Sequence, residues 1–170
     1  PGWPRFDGAI VGFAVATADQ QYYFPIQHDA GGNMDLAVTT AYIQDLLNLP
    51  CPKIFHNAQY DVGWLKINGF DIKGKIIDTM VAAAVVNENR FSYSLNSLGF
   101  DLLGEIKSEA FLNEKAKEWG LDPKQDLWRM PAGFVGHYAE QDAALTYKLW
   151  QHFKPIIIKE NLQDVFDMEM

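Results

Sequence analysis

The stretch Val135 to Trp150, reading VGHYAEQDAALTYKLW, places the strongest condition on how this chain can fold. Val135, Tyr138, Asp142, Leu145 and Leu149 recur at alternating intervals of three and four, which predicts an α-helix carrying all five on one stripe. Four of these suit a buried face and the fifth is a carboxylate. A charge on such a face is costly unless it is ion-paired, hydrogen-bonded or bound to a metal. Tyr138 precedes Asp142 by four residues, so a phenol and a carboxylate project one turn apart. A structural aspartate held by an arginine or by a neighbouring helix end satisfies the same pattern, and this helix alone does not separate the two readings.

A second segment repeats the anomaly. Asn57, Asp61, Trp64, Leu65 and Asn68 also share a helical face, again with a carboxylate among inward-facing residues. Two converging carboxylates repel each other and are driven toward protonation unless a cation neutralises them. An all-oxygen site for a hard divalent ion, Mg²⁺ or Mn²⁺, accounts for both, and two-metal phosphoryl chemistry uses such ligands. The sequence has no Cys/His cluster of zinc type, no phosphate-binding G-x-x-x-x-G-K loop and no G-x-S-x-G elbow. Metal-assisted cleavage therefore ranks above catalysis by a nucleophilic side chain.

Around these helices the pattern is α/β. Ile10 to Ala16 and Gln21 to Ile26 predict a hairpin, and the glycines after His28 a loop. A helix is expected from about Asp35 to Asn48, a strand at Lys53 to His56, and the Asp61 helix from Ala58 to Asn68 with Gly69 beyond its end. A strand at Lys75 to Ile77 precedes an Ala-rich helix from Thr79 to Val86, capped by Asp78 or Thr79. Further helices are expected after Ser92 or Ser94, at Glu109 to Trp119, and at Asp122-Pro123. The final helix starts near Gly133, is expected to end or kink at Pro155, and resumes from Ile156 to Phe166. With no repeat or linker, residues 1–170 read as one domain, which 170 residues are enough to supply with a core.

A net charge of −8 argues against a free-standing, tight nucleic-acid binder, though not against a nucleic-acid enzyme whose acids hold cations. The single cysteine, Cys51, rules out an internal disulfide and suits a reducing, cytoplasmic setting. No apolar run approaches the roughly 20 residues of a membrane span.

Asn57-Ala58-Gln59-Tyr60-Asp61 resembles the second motif of the DEDD superfamily of 3′–5′ exonucleases, and Tyr138-Ala139-Glu140-Gln141-Asp142 resembles the third, Tyr-x-x-x-Asp. Between them, Ile77-Asp78-Thr79-Met80 and Ser94-Leu95-Asn96-Ser97-Leu98 resemble the proofreading domain of family A (Klenow-type) DNA polymerases in order and spacing, as does Phe24-Pro25-Ile26-Gln27-His28 after the hairpin. The resemblance covers nearly the whole chain and implies a ribonuclease-H-like mixed sheet with flanking helices. The first motif, Asp-x-Glu on a central strand, is absent from the N-terminal half, and Asp167-Met168-Glu169 is a chance match in the wrong place. The start, PGWPRFDGAI, accordingly reads as a cut edge just after the missing strand, and a covalently linked polymerase domain is expected after residue 170. Either the strand lies upstream of Pro1, or the fragment is altered and inactive.

The resemblance also implies roles. Asp142 binds the metal that activates the attacking water, Asp61 supports the second of two Mg²⁺ or Mn²⁺ ions, and Tyr138 orients the water. Asn57 contacts the terminal nucleotide or caps its own helix. The substrate is a single-stranded DNA 3′ end, released as nucleoside 5′-monophosphates. His137 and Asp142 also satisfy the His-x-x-x-x-Asp signature of the superfamily branch that uses a histidine base. If the helix already includes residue 137, five residues turn through about 500°, leaving His137 about 140° from Asp142 and Tyr138 only about 40° away. A later start leaves His137 open, and the polymerase-like surroundings then favour Tyr138. An RNA-trimming nuclease using His137 and a catalytically inactive, structural exonuclease-like module are the alternatives. His28 is read as a hydrogen-bonding loop residue, Tyr22, Tyr23 and Phe24 as core, and Lys115, Lys117 and Lys124 as solvated charges.

Overall fold

The computed structural model describes residues 8–105, 110–123 and 126–170. Lys124 and Glu109 lie outside them, as does the continuation of the helix expected at Asp122-Pro123. A 3-10 turn, Leu127–Arg129, follows that stretch.

Two strands, β1 (Gly12–Ala16) and β2 (Gln21–Pro25), pair antiparallel with Ala14 opposite Tyr23. Helix α1 (Leu36–Asn48) follows and turns Ile43 and Leu47 inward. Asp35 proves to be its N-cap rather than a first-turn residue, accepting a hydrogen bond from the Val38 amide at 2.8 Å. Strands β3 (Lys53–Phe55) and β4 (Ile76–Asp78) run parallel, joined through α2 (Ala58–Ile67). Residues of the β4–α3 boundary are shared tightly: the strand ends at Asp78 and α3 (Thr79–Val86) begins at once, with Asp78 as its cap. Helices α4 (Leu95–Leu103) and α5 (Ala110–Glu118) lead to α6 (Ala132–Lys159) and α7 (Gln163–Glu169).

The hairpin and the parallel pair form two separate two-stranded sheets among the described residues, one antiparallel and one parallel. They carry both strand polarities of the expected mixed sheet but share no ladder. What spans them is α6, which packs on β1, β2 and β3 and on α3 and α4. One end of α6 sits with the hairpin, where Val135 packs with Met130, Leu112 and the Tyr23 ring. The middle and far end bury Leu145, Leu149, Phe153 and Ile157 against Ile77, Ala82, Leu98 and Phe166. Two glycines permit this closeness. A Cβ at Gly99 of α4 would come within 2.8 Å of the Leu145 side chain, and one at Gly136 of α6 within 3.2 Å of the Tyr23 ring.

Pro155 does not interrupt the helix. It is exposed, while Phe153 and Ile157 on either side are 2% and 1% exposed, so packing keeps both turns helical despite the lost amide. The chain breaks instead at Asn161, whose φ of 56° is left-handed. There Leu162 N donates to Ile157 O at 2.9 Å and Asn161 N to Ile158 O at 3.3 Å, the paired bonds of a Schellman ending. The helix expected at Ile156 to Phe166 is thus the last turns of α6 followed by α7. Replacing Pro155 by Ala should restore the amide and raise stability by about 1–2 kcal/mol, net of a more flexible unfolded chain. Chemical denaturation of the two proteins checks this; an unchanged or lower midpoint would show that the proline costs α6 nothing.

Candidate active site

Between β1 and β3 runs a groove of about 1650 Å³, lined by the whole of both strands and by residues of α2 and α6. Asp61 enters it from α2 and Asp142 from α6, both half-buried. Tyr138, one turn before Asp142, lines the groove as well, and so does Asn57. The structure therefore brings together all four residues singled out in the sequence. His137 is not among the lining residues; it is exposed and hydrogen-bonds Gln141 at 3.0 Å. Glu140 faces the opposite way, accepting the Tyr23 amide at 3.0 Å and so closing part of the outer edge of β2. Asp167, in the chance match, is exposed on α7 and paired with Lys75.

Asn57 does not cap α2. Its backbone is left-handed, φ 64° and ψ 58°, and its side chain makes no capping bond. The amides that need satisfying are taken by Asp78: Oδ1 accepts from Asn57 N at 3.0 Å and Oδ2 from Ala58 N at 2.7 Å. A non-glycine residue in this conformation costs about 1–2 kcal/mol and persists only where its surroundings enforce it.

Asp61 carries the clearest electrostatic signature in the groove. Burial, and next the negative charge of Asp78, push its carboxyl up to about 6. Among the described residues it has no ion-pair partner. A carboxylate held uncomfortably in this way gains from a cation, and carboxylate oxygens suit a hard divalent ion. Among the described residues, no three His, Cys, Asp or Glu side chains are gathered closely enough to hold an ion by themselves. The described residues fit such a metal as part of an oxygen ligand set, not the whole of one.

Sequence reasoning missed several groove residues. Tyr60, which packs edge-on against Trp64 with centroids 6.4 Å apart, lies there, as do Asn96 and Tyr147. Tyr147, five residues beyond Asp142, falls outside the three-and-four rhythm used to find the stripe. His28 and Tyr23 form the buried support of the hairpin wall. His28 Nδ1 donates to Met130 O at 2.8 Å, so Nε2 accepts from the Tyr23 hydroxyl at 2.7 Å. Burial lowers the histidine's pKa against the opposing pull of its backbone bonds, and burial also raises that of the Tyr23 phenol. Both are held neutral, and the sequence-based view of His28 as a hydrogen-bonding residue describes it correctly.

A raised carboxyl pKa has a signed consequence. Between about pH 4 and pH 6 the folded chain keeps a proton on Asp61 that the unfolded chain has lost, so stability falls as pH rises through that window. Asp61→Asn should therefore stabilise the metal-free chain at pH 7.5 by about 2 kcal/mol and flatten that part of the stability profile. Thermal melts in EDTA from pH 4 to 8 test it; a destabilised variant would mean that the carboxylate is well satisfied where it stands. Titrating Mn²⁺ into this chain should give single, weak occupancy by calorimetry, and tight binding of two ions would contradict the partial ligand set.

Comparison with known proteins gives the family. A family model for the 3′–5′ exonuclease of family A DNA polymerases matches residues 4–158. A DNA-directed DNA polymerase of Pseudomonas phage M6 is 31% identical over 169 residues, covering 97% of this chain and 26% of the phage protein. A DNA polymerase I of Synechocystis is 26% identical over 144 residues, covering 82% of this chain and 14% of that protein. The chain thus spans about a quarter of its phage relative. In fold, it matches the solved structure of the POL domain of Pol1 from M. smegmatis, in complex with DNA primer-template and dNTP, at a TM-score of 0.65 and 16% identity, over 92% of this chain and 22% of that one. The α/β architecture is therefore consistent with the ribonuclease-H-like fold expected from the motifs. The chain belongs to the 3′–5′ exonuclease family of family A DNA polymerases.

Proposed function

We propose that this chain is the proofreading module of a DNA polymerase, removing nucleotides from single-stranded DNA 3′ ends as 5′-monophosphates. The observation that carries the reading is that Asp61 from α2 and Tyr138 and Asp142 from α6 line one groove. In this reading Asp61 and Asp142 are ligands of two Mg²⁺ or Mn²⁺ ions, which when bound supply the positive charge that eases attack on the phosphodiester and departure of the leaving oxygen. Tyr138 holds the attacking water by its hydroxyl, a matter of placement more than of proton abstraction. Asn57, freed from capping, contacts the terminal nucleotide. Tyr60 and Trp64 offer aromatic faces on which an unpaired base can stack without regard to its identity.

The remaining ligands belong, on this reading, to an Asp-x-Glu strand joined to the chain before Pro1. Strands β1 and β3 each have a single ladder partner among the described residues, and both line the groove along their whole length. An extended segment between them would join the two sheets and set its acids beside Asp61 and Asp142. Because the phage and bacterial relatives are polymerases of which this chain spans a small part, the polymerase domain is taken to follow residue 170.

The test is degradation of a 5′-labelled single-stranded oligonucleotide by the parent polymerase in Mg²⁺. Tyr138→Phe should slow removal from the 3′ end roughly a hundredfold, and His137→Ala should leave it within about threefold. If His137→Ala loses activity while Tyr138→Phe keeps it, the enzyme works by a histidine base. If the unaltered protein degrades neither DNA nor RNA and takes up no Mn²⁺, it is a structural module.

A further inference from the structure

We propose that Asp78 is a positioning residue of the exonuclease reaction, acting through the first turn of α2. The inference rests on the function proposed above and adds a residue outside the metal ligands. Asp78 is 5% exposed and ends β4, where its carboxylate accepts three backbone amides: Asn57 at 3.0 Å, Ala58 at 2.7 Å and Met80 at 2.8 Å. One buried side chain thereby caps two helices, α3 from its own N-cap position and α2 from across the parallel pair.

The neighbouring residue reinforces the hold. Thr79, fully buried, donates its hydroxyl to Phe55 O at 3.1 Å, so the 2.9 Å bond from His56 Nδ1 is one in which the histidine donates. Residues 55 to 58 are thus tied to residues 78 and 79 by four polar links. Within that tie Asn57 is bent into the left-handed region, and Tyr60 N closes the turn onto Asn57 O at 3.0 Å. Asp61 stands one residue further on.

Helices α1, α3 and α4 are each capped by the residue just before them, Asp35, Asp78 and Ser94. Had Asn57 capped α2 in the same way, its side chain would be spent on the helix amides. With Asp78 in that duty, Asn57 and Asp61 both line the groove, one turn apart on a fixed backbone. The carboxylate of Asp78 is engaged by amides on both oxygens, so beyond the charge it places near Asp61 it acts on the reaction through the main chain and not as a ligand.

In the parent polymerase, Asp78→Asn keeps the side chain's size and turns one acceptor oxygen into a donor. Exonuclease kcat on a single-stranded oligonucleotide in Mg²⁺ should fall roughly tenfold to a hundredfold with KM changed by less than about threefold, as expected for misplaced reacting groups. Primer extension by the same protein should remain near its normal rate. Glycine adopts the left-handed conformation without strain. In an Asn57→Gly background, measured against that variant alone, the further loss from Asp78→Asn should therefore be several-fold smaller. Unchanged kcat, equal losses in the two backgrounds, or a parallel loss of nuclease and extension with early melting would overturn the inference. Asp61→Asn is the separate control: if that variant degrades DNA at full rate, it is the proposed nuclease site that fails, whatever Asp78 does.

Discussion

The burial of one face of α6 is the constraint on which the rest of the molecule depends. Leu145, Leu149, Phe153 and Ile157 are each at most 4% exposed, and burying a side chain of this size contributes about 1.5–3 kcal/mol. Since the two small sheets share no ladder among the described residues, their separation is fixed by the helix that packs on both. The groove is a product of that arrangement. Tyr138 and Asp142 lie on the section of α6 that lines the groove, between its hairpin end and the turns buried against α3 and α4.

The two walls of the groove handle buried polarity in opposite ways. On the hairpin side, His28, Tyr23 and the Met130 carbonyl satisfy one another in a neutral network that holds the loop before α6 against β2. On the α2 side, Asp61 is left with a carboxyl near pH 6, pressed by burial and by Asp78. A fold selected only for stability would resolve such a conflict with an amide or an apolar residue. Keeping it is expected where the group is reserved for a ligand, and sites of that kind are where local rules and global stability part company.

How much of this could be read in the sequence depended on the range of the interaction concerned. The α6 stripe was legible because helical periodicity is local: the positions that bury Val135, Leu145 and Leu149 also fix where Tyr138 and Asp142 project. The same arithmetic turned His137 away from the groove, where the structure also has it. The span of α3, Thr79–Val86, followed from a capping residue meeting an Ala-rich run. The helix end expected at Pro155 did not occur because proline's effect on a helix is a local tendency, and here the burial of Phe153 and Ile157 outweighs it. Asn161, a weaker signal in the text, does the breaking.

What stayed hidden lies between residues far apart in the chain. Asp78 could be recognised as the cap of the helix beside it, but its bonds to Asn57 and Ala58 reach back 21 and 20 residues and exist only once β3 and β4 are paired. The alternatives for Asn57, cap or contact, could not be separated from the letters because both use the same side-chain oxygen and the same position ahead of a helix. Parallel pairing takes the capping duty away from Asn57. Two strands running the same way end side by side, so the amides that open the helix after one lie within reach of the side chain that ends the other. A carboxylate at that end can serve both helices, and the residue it relieves is one that lines the groove.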